Sequence, residues 1–256
     1  MTFPIPTGVN PAPGGPAGYT YSAVLVRVEE RADARDDLLA TLHEIRFSGW
    51  VAPPEAGWVV VVPAGDGPVV AAGRRGVVGV GAALAETGAA TVAVRVLEDR
   101  QLVLVAWESG REVARYVSDP SREPGSEGDV LPDPVGTEGA DDLAAAGGKR
   151  QAGEELRELL AEPLNPDEEI ESERLGRVLR LLGLPSWLVS AWRLPRDMPT
   201  GPARRDLLRL RAGHTGPHGW VAGRAARLGR RWRRPPPVLL DPPRGDGGMD
   251  DQAMWL

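Results

Sequence analysis

Three β-branched segments separated by very short connectors constrain the fold of this chain more than any other feature. The segments span residues 90–98, 101–108 and 111–119, and Glu98-Asp99-Arg100 and Ser109-Gly110 join them. Strands linked this closely must pair antiparallel, because a parallel pair needs a crossover of a dozen residues or more. The sequence therefore predicts an antiparallel three-stranded meander.

The segments before the meander complete an α+β domain over residues 19–118. Residues 20–28 alternate like a strand, and the continuous apolar run at 57–64 is typical of a central strand. Residues 32–47 have helical apolar spacing with acids in the first turns, and 74–87 form a glycine-containing helix. The order is βαβαβββ, which favours a sheet of about five strands with helices on one face.

A charge reversal divides the rest of the chain. Residues 119–173 contain 17 acids and 4 bases, whereas residues 174–234 contain 15 arginines and 2 aspartates. The formal net charge of the whole chain is only −6. Unbalanced positive charge attracts phosphate, anionic lipid or an acidic protein surface. The acidic segment of the same chain is a further candidate for pairing with the basic one.

Composition separates tails and linkers from the folded parts. Residues 1–18 are half proline and glycine, and 10 of the 32 residues in 119–150 are proline or glycine. We expect a disordered head over 1–18, an acidic linker over 119–150 with at most a short helix at 141–148, and an Arg-rich disordered tail over 214–256. A helical region is expected over 151–213.

The helical region carries clear start and stop signals. Asn165, Pro166 and Glu168 are the residue types preferred at the N-cap, N1 and N3 positions of a helix. Gly183 stands just past the last apolar position of that helix, where a left-handed residue ends many helices. A shorter helix is expected at 187–194, and residues 206–212 are expected to add one or two helical turns.

Residues 174–194 also fit the outline of a helix-turn-helix, with Gly183 in the turn. In one interpretation the second helix reads DNA, and Arg193 is its main polar side chain. In the other, the pair is an αα-hairpin that packs through Trp187 and Trp192. These three residues, Trp187, Trp192 and Arg193, form the candidate interface.

The basic run near the C-terminus is the main candidate for binding a polyanion. It combines six arginines with one tryptophan, and its members are Arg224, Arg227, Arg230, Arg231, Trp232, Arg233 and Arg234. Arginine clamps phosphate and tryptophan stacks on bases, so nucleic acid is one candidate partner. An anionic membrane surface is another, and loose pairing with residues 119–173 is the third.

Other motifs predict little chemistry. The glycines at 76, 79 and 81 run in the reverse of the dinucleotide-binding order, although Arg74 and Arg75 at the helix start form a weak candidate anion site. His214 and His218 have no cysteine to complete a zinc site. We therefore predict no catalytic residue, no metal and no cofactor.

These observations favour a non-catalytic interaction or regulatory protein with an unidentified protein partner. The alternatives are a nucleic-acid-binding protein and an enzyme of unrecognised type that uses the α+β domain. Arginine outnumbers lysine 29 to 1, which suggests a GC-rich bacterial genome. The lack of cysteine and of a secretory signal pattern suggests a cytoplasmic location.

Overall fold

The computed structural model describes residues 18–28, 34–65, 69–122, 133–163 and 170–232. In these residues, seven strands form one antiparallel sheet in the order β6-β5-β4-β1-β3-β2-β7. The strands are β1 (Tyr21–Arg27), β2 (Gly49–Val51), β3 (Trp58–Pro63), β4 (Thr91–Leu97), β5 (Gln101–Glu108), β6 (Arg111–Val117) and β7 (Leu208–Leu210). The α-helices are α1 (Ala34–Glu44), α2 (Val77–Ala85), α3 (Ala140–Ala146), α4 (Gly153–Ala161), α5 (Glu171–Leu182) and α6 (Gly216–Trp232).

The predicted meander is confirmed in strands β4, β5 and β6. Glu108 pairs with Arg111 across the β5–β6 turn, where Ser109 and Gly110 both have positive φ angles of 50° and 78°. Two positive φ angles match the right-handed twist of a tight hairpin. The predicted central position of β3 is also confirmed, because all six of its residues are buried between β1 and β2.

Helices cover both faces of the sheet. Helices α1 and α2 pack on the face that carries Val24 and Val26 of β1, as expected for the first two helices. Helices α3, α4 and α5 pack on the opposite face, together with a 3-10 helix at Ser186–Arg193. The helical region therefore shares a hydrophobic core with one face of the sheet. Successive residues of each strand point to opposite faces, so the same strands supply the cores on both sides.

Gly81 of α2 sets the distance between that helix and the sheet. A β-carbon at Gly81 would lie 2.8 Å from the Trp107 ring and 3.2 Å from Ala93. Only a residue without a side chain permits this approach. Gly81 in the GRRGVVGVG pattern at 73–81 is thus explained by close helix–sheet packing.

Several local predictions differ from the structure. Residues 206–212 contain strand β7 instead of helical turns, because Leu208 and Leu210 face the core and the strand pairs with β2. Residues 186–193 form a 3-10 helix instead of an α-helix. The start signals at 165–168 lie outside the described residues, but α5 begins only at Glu171, because its N-cap Ile170 is extended with φ −105° and ψ 123°. The expected left-handed Gly183 is confirmed with φ 66°.

Two segments expected to lack packed structure contain helices. Helix α3 lies in the segment predicted as an acidic linker, and it buries Leu143 and three alanines. Helix α6 lies in the segment predicted as a disordered Arg-rich tail, of which residues 233–256 are outside the described part. In the part of the chain that the structure describes, no helix combines the length and apolar character that crossing a bilayer requires.

Candidate anion-binding surface

Helix α6 begins at a tight turn that is anchored to the body of the protein. Arg211 and His214 exchange two backbone hydrogen bonds around Ala212 and Gly213, which have φ angles of 49° and 83°. The Ala212 amide donates to Ser48 Oγ at 2.9 Å, and the Gly213 amide donates to the Phe47 carbonyl. The start of α6 is therefore held against the connection between α1 and β2.

Glycines line the side of α6 that faces the body. A β-carbon at Gly219 would lie 2.3 Å from the His214 carbonyl oxygen. A β-carbon at Gly223 would lie 3.3 Å from Cβ of Arg211. These small residues let the Arg211 side chain run beneath the helix, close to its backbone.

Other side chains of α6 are exposed, and they include both aromatic and cationic groups. Trp220 is 53% exposed, and Val221 and Leu228 are exposed beside it. The Arg224 guanidinium lies 5.3 Å from the centre of the Trp220 ring, which is a cation–π contact. This part of the predicted polyanion-binding run therefore faces solvent.

The remaining members of that run extend beyond the described side chains. Arg227, Arg230, Arg231 and Trp232 belong to α6, but the structure describes only their backbone. The helical repeat puts positions 224, 227 and 231 on one side of the helix. Arg233 and Arg234 lie outside the described residues.

A groove of about 830 Å³ separates α6 from β7 and the end of β3. Three arginines line it. Arg209 belongs to β7, Arg211 directly follows β7, and Arg224 belongs to α6. The other described lining residues are apolar or small, apart from Ser48, and none of the described lining residues is acidic. The groove is therefore a concentration of positive charge with no carboxylate in its described walls.

The arginines of the groove differ in their surroundings. The Arg209 guanidinium lies 5.4 Å from the centre of the Trp50 ring. Arg211 is half-buried, and its Nε atom is buried with no hydrogen-bond partner among the described residues. A buried cationic donor without an acceptor is costly, so Arg211 is better suited to a bound anion than to an empty groove.

The predicted interface residues occupy two different environments. Trp187 is 3% exposed and belongs to the core, and its Nε1 donates to Glu55 Oε2 at 2.8 Å. Trp192 is 37% exposed and stacks on Tyr19, with 3.8 Å between the ring centres. Arg193 lies 5.4 Å from the Trp192 ring. Of the three predicted interface residues, Trp192 is therefore exposed, Arg193 is half-buried and Trp187 belongs to the core.

The weak anion candidates lie at the start of α2. Arg75 donates from Nη1 to the carbonyl of Ala72 at 3.1 Å, which turns its side chain back towards the preceding 3-10 turn. Gly76 is the N-cap of α2 and has no side-chain capping bond. No described geometry brings Arg74 and Arg75 together around a common point.

A buried polar network fixes α5 on the sheet, and the sequence did not predict it. Arg174 and Glu171 are both buried, with 3.7 Å between Nε and Oε2. Arg174 Nη1 donates to the Tyr116 hydroxyl at 2.9 Å, and that hydroxyl donates to the Leu160 carbonyl at 2.9 Å. These contacts support the core, since each group faces other protein groups and not a cavity.

The Tyr21 phenol belongs to the same end of the sheet. It donates to Ser172 Oγ at 2.9 Å, and Ser172 in turn donates to Asp99. Burial raises the pKa of the Tyr21 phenol well above its ordinary value, and the nearby Asp99 and Glu171 carboxylates raise it further. The phenol is therefore held in its neutral form.

A second, smaller cleft of about 340 Å³ lies between α1, α2 and the end of β1. Asp37 and Glu108 line it, together with the hydroxyl groups of Thr87 and Ser109. Among the described residues, no three His, Asp or Glu side chains are grouped so that they could hold a metal ion. The hypothesis of an enzyme that uses this domain remains a prediction.

Comparison with known proteins supplies no relative. No protein-family model matches the chain, and no curated protein or solved structure matches it. Function must therefore be inferred from the groove and helix α6.

Arg209 and Arg211 are the members of this surface that the sequence analysis missed. Their signal was the alternation of Leu208, Arg209, Leu210 and Arg211, which is typical of a strand with one charged face. If the same residues formed a helix, Arg209 and Arg211 would point to different sides of it. Only the strand puts both of them into one groove.

Proposed function

We propose that this chain is a non-catalytic interaction protein of the bacterial cytoplasm that binds a polyanionic partner through α6 and the arginines that follow it. The observation that carries the proposal is the exposed pair of Trp220 and Arg224 beside a groove with three arginines. The stretch between Asp206 and Asp241 contains eight arginines and no acid. Such a stretch attracts anions along its whole length.

The covered sheet supports this choice of surface. Both faces of the sheet are occupied by helices, so neither is open to a partner. Helix α6 instead lies at the edge strand β7 and keeps one side in solvent. A basic helix at the rim of a closed body is typical of an element that contacts a partner.

The described ion pairs show which cations some acids of residues 119–173 contact. Asp141 pairs with Arg157, Glu162 with Arg177, and Glu171 with Arg174. Each of these acids from residues 119–173 thus already has a cation outside α6. These three acids are therefore engaged with cations of the helical region and not with α6.

The test is binding of fluorescein-labelled heparin, measured by anisotropy as the salt concentration rises. If about five anionic groups are engaged, we expect log affinity to fall with log salt at a slope of roughly −4 to −5. The triple variant R224E/R227E/R231E should lower the affinity at least tenfold. A matched control with the same change in net charge is R100E/R111E/R150E, because these arginines are exposed and belong to other elements.

Two results would contradict the proposal. One is a binding signal that does not respond to salt, which would show that charge does not drive the interaction. The other is an equal loss in both triple variants, which would show that net charge matters and α6 does not.

Sequence-specific DNA binding through residues 174–194 is the second candidate function, and the geometry favours it less. Residues 186–193 form a 3-10 helix whose Trp187, Leu188 and Ala191 are buried. A recognition element needs an α-helix with polar side chains free to enter the major groove. If R193E abolished binding to one DNA sequence and left heparin binding intact, this candidate would replace the first.

A further inference from the structure

We propose that the groove between α6 and β7 binds single-stranded nucleic acid, with a backbone phosphate at Arg209 and Arg211 and a base stacked on Trp220. This inference rests on the proposed function, because it names the polyanion and its position on the same surface. It goes further because binding would need contacts inside the groove, in addition to the positive charge of α6.

The walls of the groove fit a phosphodiester. Arg209 and Arg211 are two residues apart along one extended segment, so both project to the same side of it. Arg224 approaches from α6 on the other wall. Guanidinium groups bind phosphate oxygens through paired N–H donors, and arginines on two walls can hold one phosphate between them.

Arg211 is the residue that most needs a ligand. Its side chain makes no hydrogen bond or ion pair with any described residue, and it runs beneath α6 at Gly223. Arg224 likewise has no ion pair among the described residues, and its contact is with the Trp220 ring. Two cations that line one groove without a carboxylate in its described walls can accept an anion.

Trp220 makes a single strand the best occupant. Its ring is half-exposed on α6, and Arg224, which lines the groove, lies 5.3 Å from the ring centre. Bases of a single strand are free to stack on an exposed ring, whereas those of a duplex are already stacked and paired. The exposed Val221 and Leu228 extend this apolar surface on the same helix.

The position of Arg211 separates this occupant from a membrane. A bilayer surface is flat, so it could reach the exposed Trp220 and Val221 of α6. It could not reach a half-buried arginine that lies between the helix and the sheet edge. A thin, flexible phosphodiester chain can enter the groove, and its binding should depend on Arg211.

The experiment compares four probes on the full chain. These are fluorescein-labelled dT12, an abasic phosphodiester of the same length, heparin, and vesicles of phosphatidylserine and phosphatidylcholine. We expect dT12 to bind at least about fivefold more tightly than the abasic chain, because one stacked base contributes roughly that factor or more. Thermal unfolding of each variant checks that it is folded.

Variants assign the two contacts separately. R211M should weaken dT12 and the abasic chain alike, by about tenfold or more, since it removes a phosphate contact. W220L should weaken dT12 only, to the level of the abasic chain. R224M is a second test of the groove if R211M proves unstable, and R111M is the control, because Arg111 lies on β6 at the opposite edge of the sheet.

The contrary outcomes are distinct. Salt-dependent heparin binding without a preference for dT12, and without an effect of R211M or R224M, overturns this inference and leaves the proposed function standing. Failure to bind heparin and dT12 overturns both. Tighter binding to the vesicles than to dT12, unaffected by R211M or R224M, overturns the nucleic-acid site in favour of a membrane surface.

Discussion

Arg174 donates a hydrogen bond from Nη1 to the Tyr116 hydroxyl at 2.9 Å, and this bond joins helix α5 to strand β6. The Arg174 side chain is 1% exposed, as is that of Glu171, which lies one helical turn earlier. The same Tyr116 hydroxyl donates to the end of α4 at Leu160. The buried Tyr116 hydroxyl thus joins both α4 and α5 to the sheet.

Replacing Arg174 should therefore destabilise the whole fold. We expect R174A to lower the free energy of unfolding by about 3–5 kcal/mol, because it leaves the Glu171 carboxylate buried without its cation. Urea denaturation followed by circular dichroism measures the loss. R177A is the control in the same helix, since Arg177 forms an exposed pair with Glu162 and should cost less than about 1 kcal/mol. Equal losses in the two variants would refute the role given to Arg174.

Stability should fall at alkaline pH because of Tyr21. Burial raises the pKa of its phenol above the ordinary value of 10.0, so the unfolded chain loses this proton at a lower pH than the folded protein. The contribution to stability is present below about pH 10 and is lost as the pH rises further. Melting temperatures at pH 8, 9.5 and 11 should fall less steeply in Y21F. Y19F removes an exposed phenol two residues away and should keep the wild-type slope.

The two glycines of α2 should respond to alanine in opposite directions. At Gly81 a β-carbon would lie 2.8 Å from the Trp107 ring, so G81A should destabilise by about 1–3 kcal/mol through overpacking. At Gly79 the nearest atoms are 3.4 Å away on the flexible Arg75 side chain. G79A should stabilise by up to about 1 kcal/mol, because alanine favours the helix more than glycine does. Urea midpoints give both values, and a stabilising G81A would contradict the packing described for α2.

Trp187 and Trp192 should differ sharply when each is replaced by alanine. W187A removes a buried ring and should cost about 3–5 kcal/mol. W192A mainly removes the stacking contact with Tyr19, which contributes about 0.5–1.5 kcal/mol. Chemical denaturation of the two variants makes the comparison. A loss above about 3 kcal/mol in W192A would show that this ring belongs to the core and not to an interface.

Local patterns were sufficient where a segment is long and its neighbours are close in sequence. Strands β4, β5 and β6 follow from alternation and short connectors, and each pairs with the next along the chain. The end of α5 follows from Gly183, because glycine adopts the left-handed conformation without the steric cost of a side chain. Of the candidate surface, the basic run from Arg224 was predicted, because a cluster of arginines is visible in the sequence itself.

Short segments that depend on distant partners were not predictable in this way. Strands β2 and β7 have three residues each, which is too few to show a period, and they pair with each other across about 160 positions of sequence. The alternation of leucine and arginine at 208–211 therefore admitted a helical interpretation. Pairing with β2 decided in favour of a strand and brought Arg209 and Arg211 to the groove.

The amino-acid order by itself determined the meander, the first two helices and the separation of acidic from basic charge, because these depend on residues a few positions apart. Tertiary structure alone decided that α3 is buried, that α6 lies against the sheet edge through Gly219 and Gly223, and that Arg211 has no acidic neighbour among the described residues. Burial and ion pairing are set by whichever distant groups the fold brings into contact. A chemical site made from β7 and α6 therefore exists only once the chain has folded.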